Sequence, residues 1–383
     1  MNLKRIIAII TILAVSTTVM AAEPYVPLRL TAYTHGAAVE WDGYDRSVHL
    51  TFADGSTRVV AVEEVGGFIE DGTSWIPAAY AAALFPAVQE NRPQIHGMLT
   101  RIEYGGNTAY IFGSVHAGHS YWFPLHPMVE DAMASADVFG FEVDMSQIVE
   151  LSEEYQMKLV ALQTLPDGLT LEDILPEDVF ENFIAAFETF ALFELEYELI
   201  AHLTPVAVSM LIELLMSSLV SGAELGVVEL MVDGYITNFA LENNRPIIGF
   251  ENIVEQAYLV LDIPLEMQIY ALADFPDFET LYNRTRENDI MDAYARQDMD
   301  AIRAILYSGW QVCGNPLEQR NRYVMWDYRC RIYANGIAEL LRDTAEPTTF
   351  FFTFGLSHIM GGNAGIVLEL LADMGFDVVP LWR

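Results

Sequence analysis

Basic residues are scarce in this chain of 383 residues: 19 lysines and arginines stand against 54 aspartates and glutamates, a formal net charge of −35 at pH 7. A field of that sign repels nucleic acid and anionic membrane surfaces and favours cations, so no nucleic-acid partner is expected. Cysteine is rarer still. Cys313 and Cys330 are the only two, too few for a disulfide-built scaffold and without a zinc signature in their spacing. In an oxidising compartment a bond between them, 17 positions apart, would be worth about 3 kcal/mol by chain entropy. Two buried thiols are the other reading. In the sequence neither lies near a histidine motif or at a helix start that would activate it. Charged residues make up 19% and hydrophobic residues 52%, which excludes a disordered chain and requires a large core. Low-complexity segments are lacking too. Residues 206–220 look membrane-like, but Glu213 interrupts them, and Glu224 and Glu229 follow. A charge inside a span costs about 2.5 kcal/mol or more, so a buried core helix is expected there.

One apolar run stands at the amino terminus. Lys4 and Arg5 precede the stretch from Ile6 to Val15, and the small Ala21 and Ala22 come before Glu23-Pro24. This is the pattern of a secretory signal peptide over residues 1–22, and it predicts a mature protein that is secreted or held in the cell envelope. An uncleaved anchor is the alternative. Without those residues, 17 basic side chains face 54 acidic ones, a balance of −37.

The texture then changes twice. In residues 26–86, Ser47 to Phe52 and Thr57 to Val62 alternate as strands around the turn Ala53-Asp54-Gly55-Ser56. Val26-Pro27-Leu28-Arg29, Gly36-Ala37-Ala38-Val39-Glu40-Trp41-Asp42, Arg46 with Val48, and Asp54-Gly55 resemble the copper amine oxidase amino-terminal-like domain. The resemblance implies a small αβ accessory module, with cell-envelope association as its expected role. His35 and His49 fall in different elements, so no copper site is read. Pro86 to Pro93 marks a boundary. Beyond it, strands expected at 108–113, 137–143, 246–250, 349–355 and 376–381 alternate with helical stretches at 176–243 and 252–343. That alternation predicts an α/β domain over residues 95–383.

Two of those strands end alike. Ala109-Tyr110-Ile111-Phe112 runs into Gly113-Ser114-Val115-His116, and Phe350-Phe351-Phe352-Thr353-Phe354 runs into Gly355-Leu356-Ser357-His358. A continuous apolar run reads as a central strand, and the glycine permits a sharp turn or a close approach. Ligands of open α/β sheets bind at the carboxyl ends of strands, which predicts that His116 and His358 converge on one site. Glu142 and Glu251 close two further strands. Two imidazoles and a carboxylate form the ligand set of a divalent metal with an open position for water, whose pKa the metal lowers toward about 7. A second carboxylate could then act as general base. His119 forms His-x-x-His with His116 and is a secondary candidate. Ser114 and Ser357 lack the Gly-x-Ser-x-Gly context of a nucleophile. Gly361-Gly362-Asn363-Ala364-Gly365 reads as close strand-to-helix packing, and Arg320 with Asn321 as a carboxylate or oxyanion holder, with a surface salt bridge as the alternative.

Taken together, Phe112 to His116, Phe141-Glu142-Val143-Asp144, Asp233-Gly234-Tyr235, Gly249-Phe250-Glu251, Arg320-Asn321 and Phe354 to His358 resemble the TraB/GumN family, which includes pheromone shutdown proteins and is related to the Tiki metalloproteases. The resemblance implies an erythromycin-esterase-like central sheet with long helical insertions. It also implies divalent-metal-dependent peptide hydrolysis, with Zn²⁺, Mn²⁺ or Co²⁺ as the ion. His116, Glu142 and His358 are carried over as metal residues, and Glu142, Glu251, Arg320 and Asn321 as catalytic ones. A peptide-sequestering protein without turnover and an ester or lactone hydrolase are the competing expectations. Ser114-Val115 and Leu356-Ser357 depart from the usual family residues, which leaves substrate preference open.

Overall fold

The computed structural model describes residues 25–28, 38–42, 46–52, 55–70, 73–77, 80, 84, 95–115, 118, 122–144, 153–166, 168–193, 196–221, 231–287, 290–308, 316–360 and 366–382. The signal segment, the 86–93 boundary, His116, His119, Cys313 and the glycine-rich turn at 361–365 lie outside these.

Residues 25–77 form two small sheets. One holds β1 (Tyr25–Pro27), β6 (Thr73–Pro77) and β5 (Phe68–Glu70); the other holds β2 (Ala38–Asp42), β3 (Ser47–Thr51) and β4 (Thr57–Ala61). Gly55 supplies the positive φ of the β3–β4 turn. Leu28, Val48, Leu50, Val60, Val62 and Ile76 pack into an apolar cluster of their own.

The remainder is mixed α/β. Its sheet has six strands in the order β10-β9-β11-β8-β7-β12: β7 is Thr100–Tyr104, β8 Asn107–Ser114, β9 Val138–Val143, β10 Ile247–Glu251, β11 Thr349–Gly355 and β12 Val379–Pro380. The first four in that order run parallel, while β7 is antiparallel to β8 and β12. Four strands fall within a residue or two of their expected positions. The last is shorter, with only Val379–Pro380 paired, and β7 was missed although Gly105-Gly106, both at positive φ, make it a hairpin with β8. Parallel strands need covered faces, and β11 meets that need: Phe350, Phe351, Phe352 and Phe354 are all buried. Because β11 inserts between β8 and β9, it carries the start of the second Gly-x-x-His motif alongside that of the first, offset by one residue. Gly355 lies opposite Ser114, and Phe354 opposite Gly113.

The helices form a second cluster around Phe183, Phe190, Ile200, Val208 and Ile212. The apolar stretch flagged in the sequence is helix Pro205–Ser221, whose Ala207, Val208 and Ile212 are fully buried. Among the described residues no helix is long and apolar enough to cross a membrane.

Candidate active site

The carboxyl ends of β9, β11 and β10 meet the first turn of helix Arg329–Asp343. Glu142 leaves β9 and is held from two sides. The backbone N–H of Gly355 donates to its Oε1 at 2.6 Å, and Arg329 Nη2 donates to its Oε2 at 2.6 Å. The same guanidinium spans to Glu251 at the end of β10: Arg329 Nε lies 3.0 Å from each oxygen, and Nη2 lies 2.9 Å from Oε2. Tyr333 Oη and Gln256 Nε2 also donate to Glu251 Oε2, at 2.8 and 3.1 Å. The Arg329 and Glu251 side chains are only 3% and 4% exposed, so these charges have exchanged water for one another.

The electrostatics follow from that burial. Desolvation works against the charged form of Arg329, yet Glu142, then Tyr333 and Glu251, outweigh it and hold the guanidinium above its ordinary value. Burial first, then the charge of Glu142, pushes the Tyr333 phenol well up, so it remains a donor. Two carboxylates face one guanidinium, which leaves the centre with an excess of negative charge.

His358 sits in the short helix Leu356–Met360 that begins as β11 ends, and it is buried. Its Nε2 faces Glu142 Oε1 at 3.7 Å, and its Nδ1 lies 3.3 Å from Cys330 Sγ. Cys330 is a free thiol, and its contact corrects the reading that no cysteine lies near a Gly-x-x-His motif: the two are distant in sequence and adjacent in space. Tyr333 stacks on Phe354 and meets the His358 ring edge-on at 5.1 Å.

The end of β8 is braced separately. Ser114 is buried, and its hydroxyl donates to Asp233 Oδ1 at 2.6 Å; Tyr294 Oη donates to Gly113 O at 2.7 Å. A hydroxyl so committed is poorly placed as a nucleophile.

The structure thus brings Glu142, Glu251 and His358 together, while the third expected metal ligand, His116, lies outside the described residues. Among the described residues no three His, Cys, Asp or Glu side chains gather as a metal site. Arg320 and Asn321 stand elsewhere. Arg320 Nη2 donates to the carbonyls of Leu259 and Asp262, at the end of helix Ile253–Leu261, and Asn321 lines a cavity between helices. The arginine that reaches the carboxylates is Arg329, which sequence reasoning missed. A signal was present: Arg329 is the first member of the stripe Arg329, Tyr333, Ile337 and Leu341, all buried at helical spacing. An arginine in line with a buried stripe requires a buried partner.

A family model described as the TraB/PrgY/gumN family matches residues 98–380. Neither curated proteins nor solved structures provide a match to the chain. The matched span takes in the whole six-stranded sheet and all of the centre around Arg329, and the chain belongs to the TraB/PrgY/gumN family.

Proposed function

We propose that this protein is a secreted metal-dependent hydrolase, foremost a peptidase, reacting at the carboxyl ends of β8, β9 and β11. The observation that carries the reading is the approach of Glu142 Oε1 to His358 Nε2 at 3.7 Å. That is too long for a hydrogen bond, whereas two ligands about 2.0–2.2 Å from one ion lie roughly 3–3.7 Å apart. An imidazole nitrogen and a carboxylate oxygen suit Zn²⁺, Mn²⁺ and Co²⁺. The residual negative charge favours any of the three, and His116 is the proposed third ligand. Such an ion, when bound, supplies a polarised substrate carbonyl and a water of lowered pKa.

The chain's own groups take distinct parts in this reading. Gly355 N–H and Arg329 fix the Glu142 carboxylate, as partners of a ligating carboxylate do. Glu251 receives hydrogen bonds from Arg329, Tyr333 and Gln256, so it is better fitted to orient Arg329 than to take a proton from water. The Arg329 guanidinium, in turn, is a positive group beside Glu142, where a carboxylate or developing oxyanion would sit. Arg320 and Asn321 are left outside the reaction.

The second reading, a peptide-sequestering protein without turnover, draws on the same guanidinium: Arg329 already balances much of the buried charge. An ester or lactone would be served by the same donor set. The erythromycin-esterase-like description of the sheet belongs to the proposal. So does the copper amine oxidase amino-terminal-like description of residues 26–86, with envelope attachment as its role.

The test is incubation of the chain lacking residues 1–22 with a peptide library, after chelation and then with Zn²⁺, Mn²⁺ or Co²⁺, read by mass spectrometry. Cleavage should return with a metal and be lost in His358→Ala. Peptide capture without cleavage under every metal would overturn the hydrolase in favour of the binder.

A further inference from the structure

Helix Pro205–Ser221 has one charged side chain, Glu213, in an otherwise apolar and small polar sequence. A carboxylate there is costly unless water or a partner meets it. Glu213 opens onto a cavity of 380 Å³ between this helix, helix Ile253–Leu261, the turn Ile269–Ala271 and helix Pro316–Arg322. Met210, Val260 and Leu317 supply apolar walls, while Ser209, Glu213, Glu318 and Asn321 supply the polar ones. Ser209 Oγ donates weakly to Glu213, at 3.4 Å. Among the described residues that line the cavity there is no lysine or arginine.

Apolar walls with a few convergent polar groups are the usual make-up of a small-molecule site. We propose that this cavity binds a small organic cation with an apolar body, its ammonium held by Glu213 with Asn321 and Ser209 beside it and its body against Met210, Val260 and Leu317. An anion would meet two carboxylates. A bare metal ion would find no suitable gathering of ligands among the described residues.

The cavity is separate from the centre at Glu142 but shares an element with it. Val260 stands four positions beyond Gln256, whose amide donates to Glu251, about 6 Å at helical rise. Arg320, next to the cavity residue Asn321, donates to the carbonyls at the end of that helix. The Arg320-Asn321 pair therefore belongs to this cavity and its wall.

The proposal is tested by isothermal titration of the chain lacking residues 1–22 with tryptammonium chloride and with uncharged indole-3-ethanol. The ammonium compound should bind saturably and about tenfold or more tighter than the alcohol, as a charge-assisted hydrogen bond requires. Glu213→Gln should erase the difference, and Met210→Trp, which fills the cavity, should abolish binding of both. Equal binding of the two probes, ammonium binding that survives Glu213→Gln, or no binding at all would overturn it. Should Met210→Trp misfold, Glu213→Gln still decides, because Glu213 is exposed to the cavity and not part of the core.

Discussion

Cys330 places its Sγ 3.3 Å from Nδ1 of His358, and both side chains are buried. Burial pushes the thiol up to about 12, so it keeps its proton and can donate S–H to Nδ1 or accept from Nδ1–H. With Nε2 facing Glu142 Oε1 as the second of two ligands to one ion, Nε2 keeps its lone pair, the proton sits on Nδ1, and the thiol sulfur is the acceptor. Cys330→Ala should cost about 1 kcal/mol and leave His358 in a mixture of tautomers, whereas Cys330→Ser should preserve one. Nitrogen-15 shifts of the His358 ring read the outcome. A wild-type ring protonated at Nε2 would show the thiol to be the donor and would leave Nε2 without a lone pair for an ion.

Arg329 supports two buried carboxylates at once, so its removal strands both. Arg329→Met should destabilise the chain by about 3–5 kcal/mol, the usual cost of breaking a buried pair. Arg329→Lys should recover only part, since an ammonium cannot fork across Glu142 and Glu251 as the guanidinium does. Urea unfolding measures both. A loss under 1 kcal/mol in the methionine variant would mean that the carboxylates are protonated or hydrated.

A Cβ at Gly113 would lie 2.9 Å from Leu356 Cδ1 and 3.2 Å from the Gly97 carbonyl. The second contact is backbone, tied down by the 2.7 Å hydrogen bond from Gly113 N, so the strain cannot all be relieved by rotating a side chain. Gly113→Ala should cost about 1–3 kcal/mol and shift helix Leu356–Met360, seen as a changed environment of His358 by NMR. An unaltered His358 signal would count against the coupling.

His96 supplies a pH dependence. Burial, and next the charge of His126, lowers its pKa to about 4 from 6.5. Its Nδ1 accepts from the Met98 N–H, and its ring stacks on Trp382. Between those two values the unfolded chain binds a proton that the folded chain does not, so this contribution to stability is present above pH 6.5 and is lost as pH falls toward 4. His96→Gln should flatten that part of the profile of thermal midpoint against pH. An unchanged slope would remove His96 from the account.

The sequence by itself determined the strands of the core and the places where they stop. Continuous apolar runs such as Phe350 to Phe354 have no other stable home, and Gly113 and Gly355 end them in a way that local chemistry reveals. Helix Pro205–Ser221 was legible as an apolar run, and Glu213, with Glu224 and Glu229 after it, argued against a membrane span. Glu142 and Glu251 were legible as strand-end carboxylates. What they do was not, because a carboxylate's role depends on which cation it meets. Only the tertiary structure decided that β11 lies between β8 and β9, that Arg329 and not Arg320 joins the two glutamates, and that Cys330 touches His358. Each of these is a contact across long stretches of chain. Parallel strand order and the burial of a charge are set by the mutual packing of elements, and no local pattern of residues encodes which element will arrive beside which.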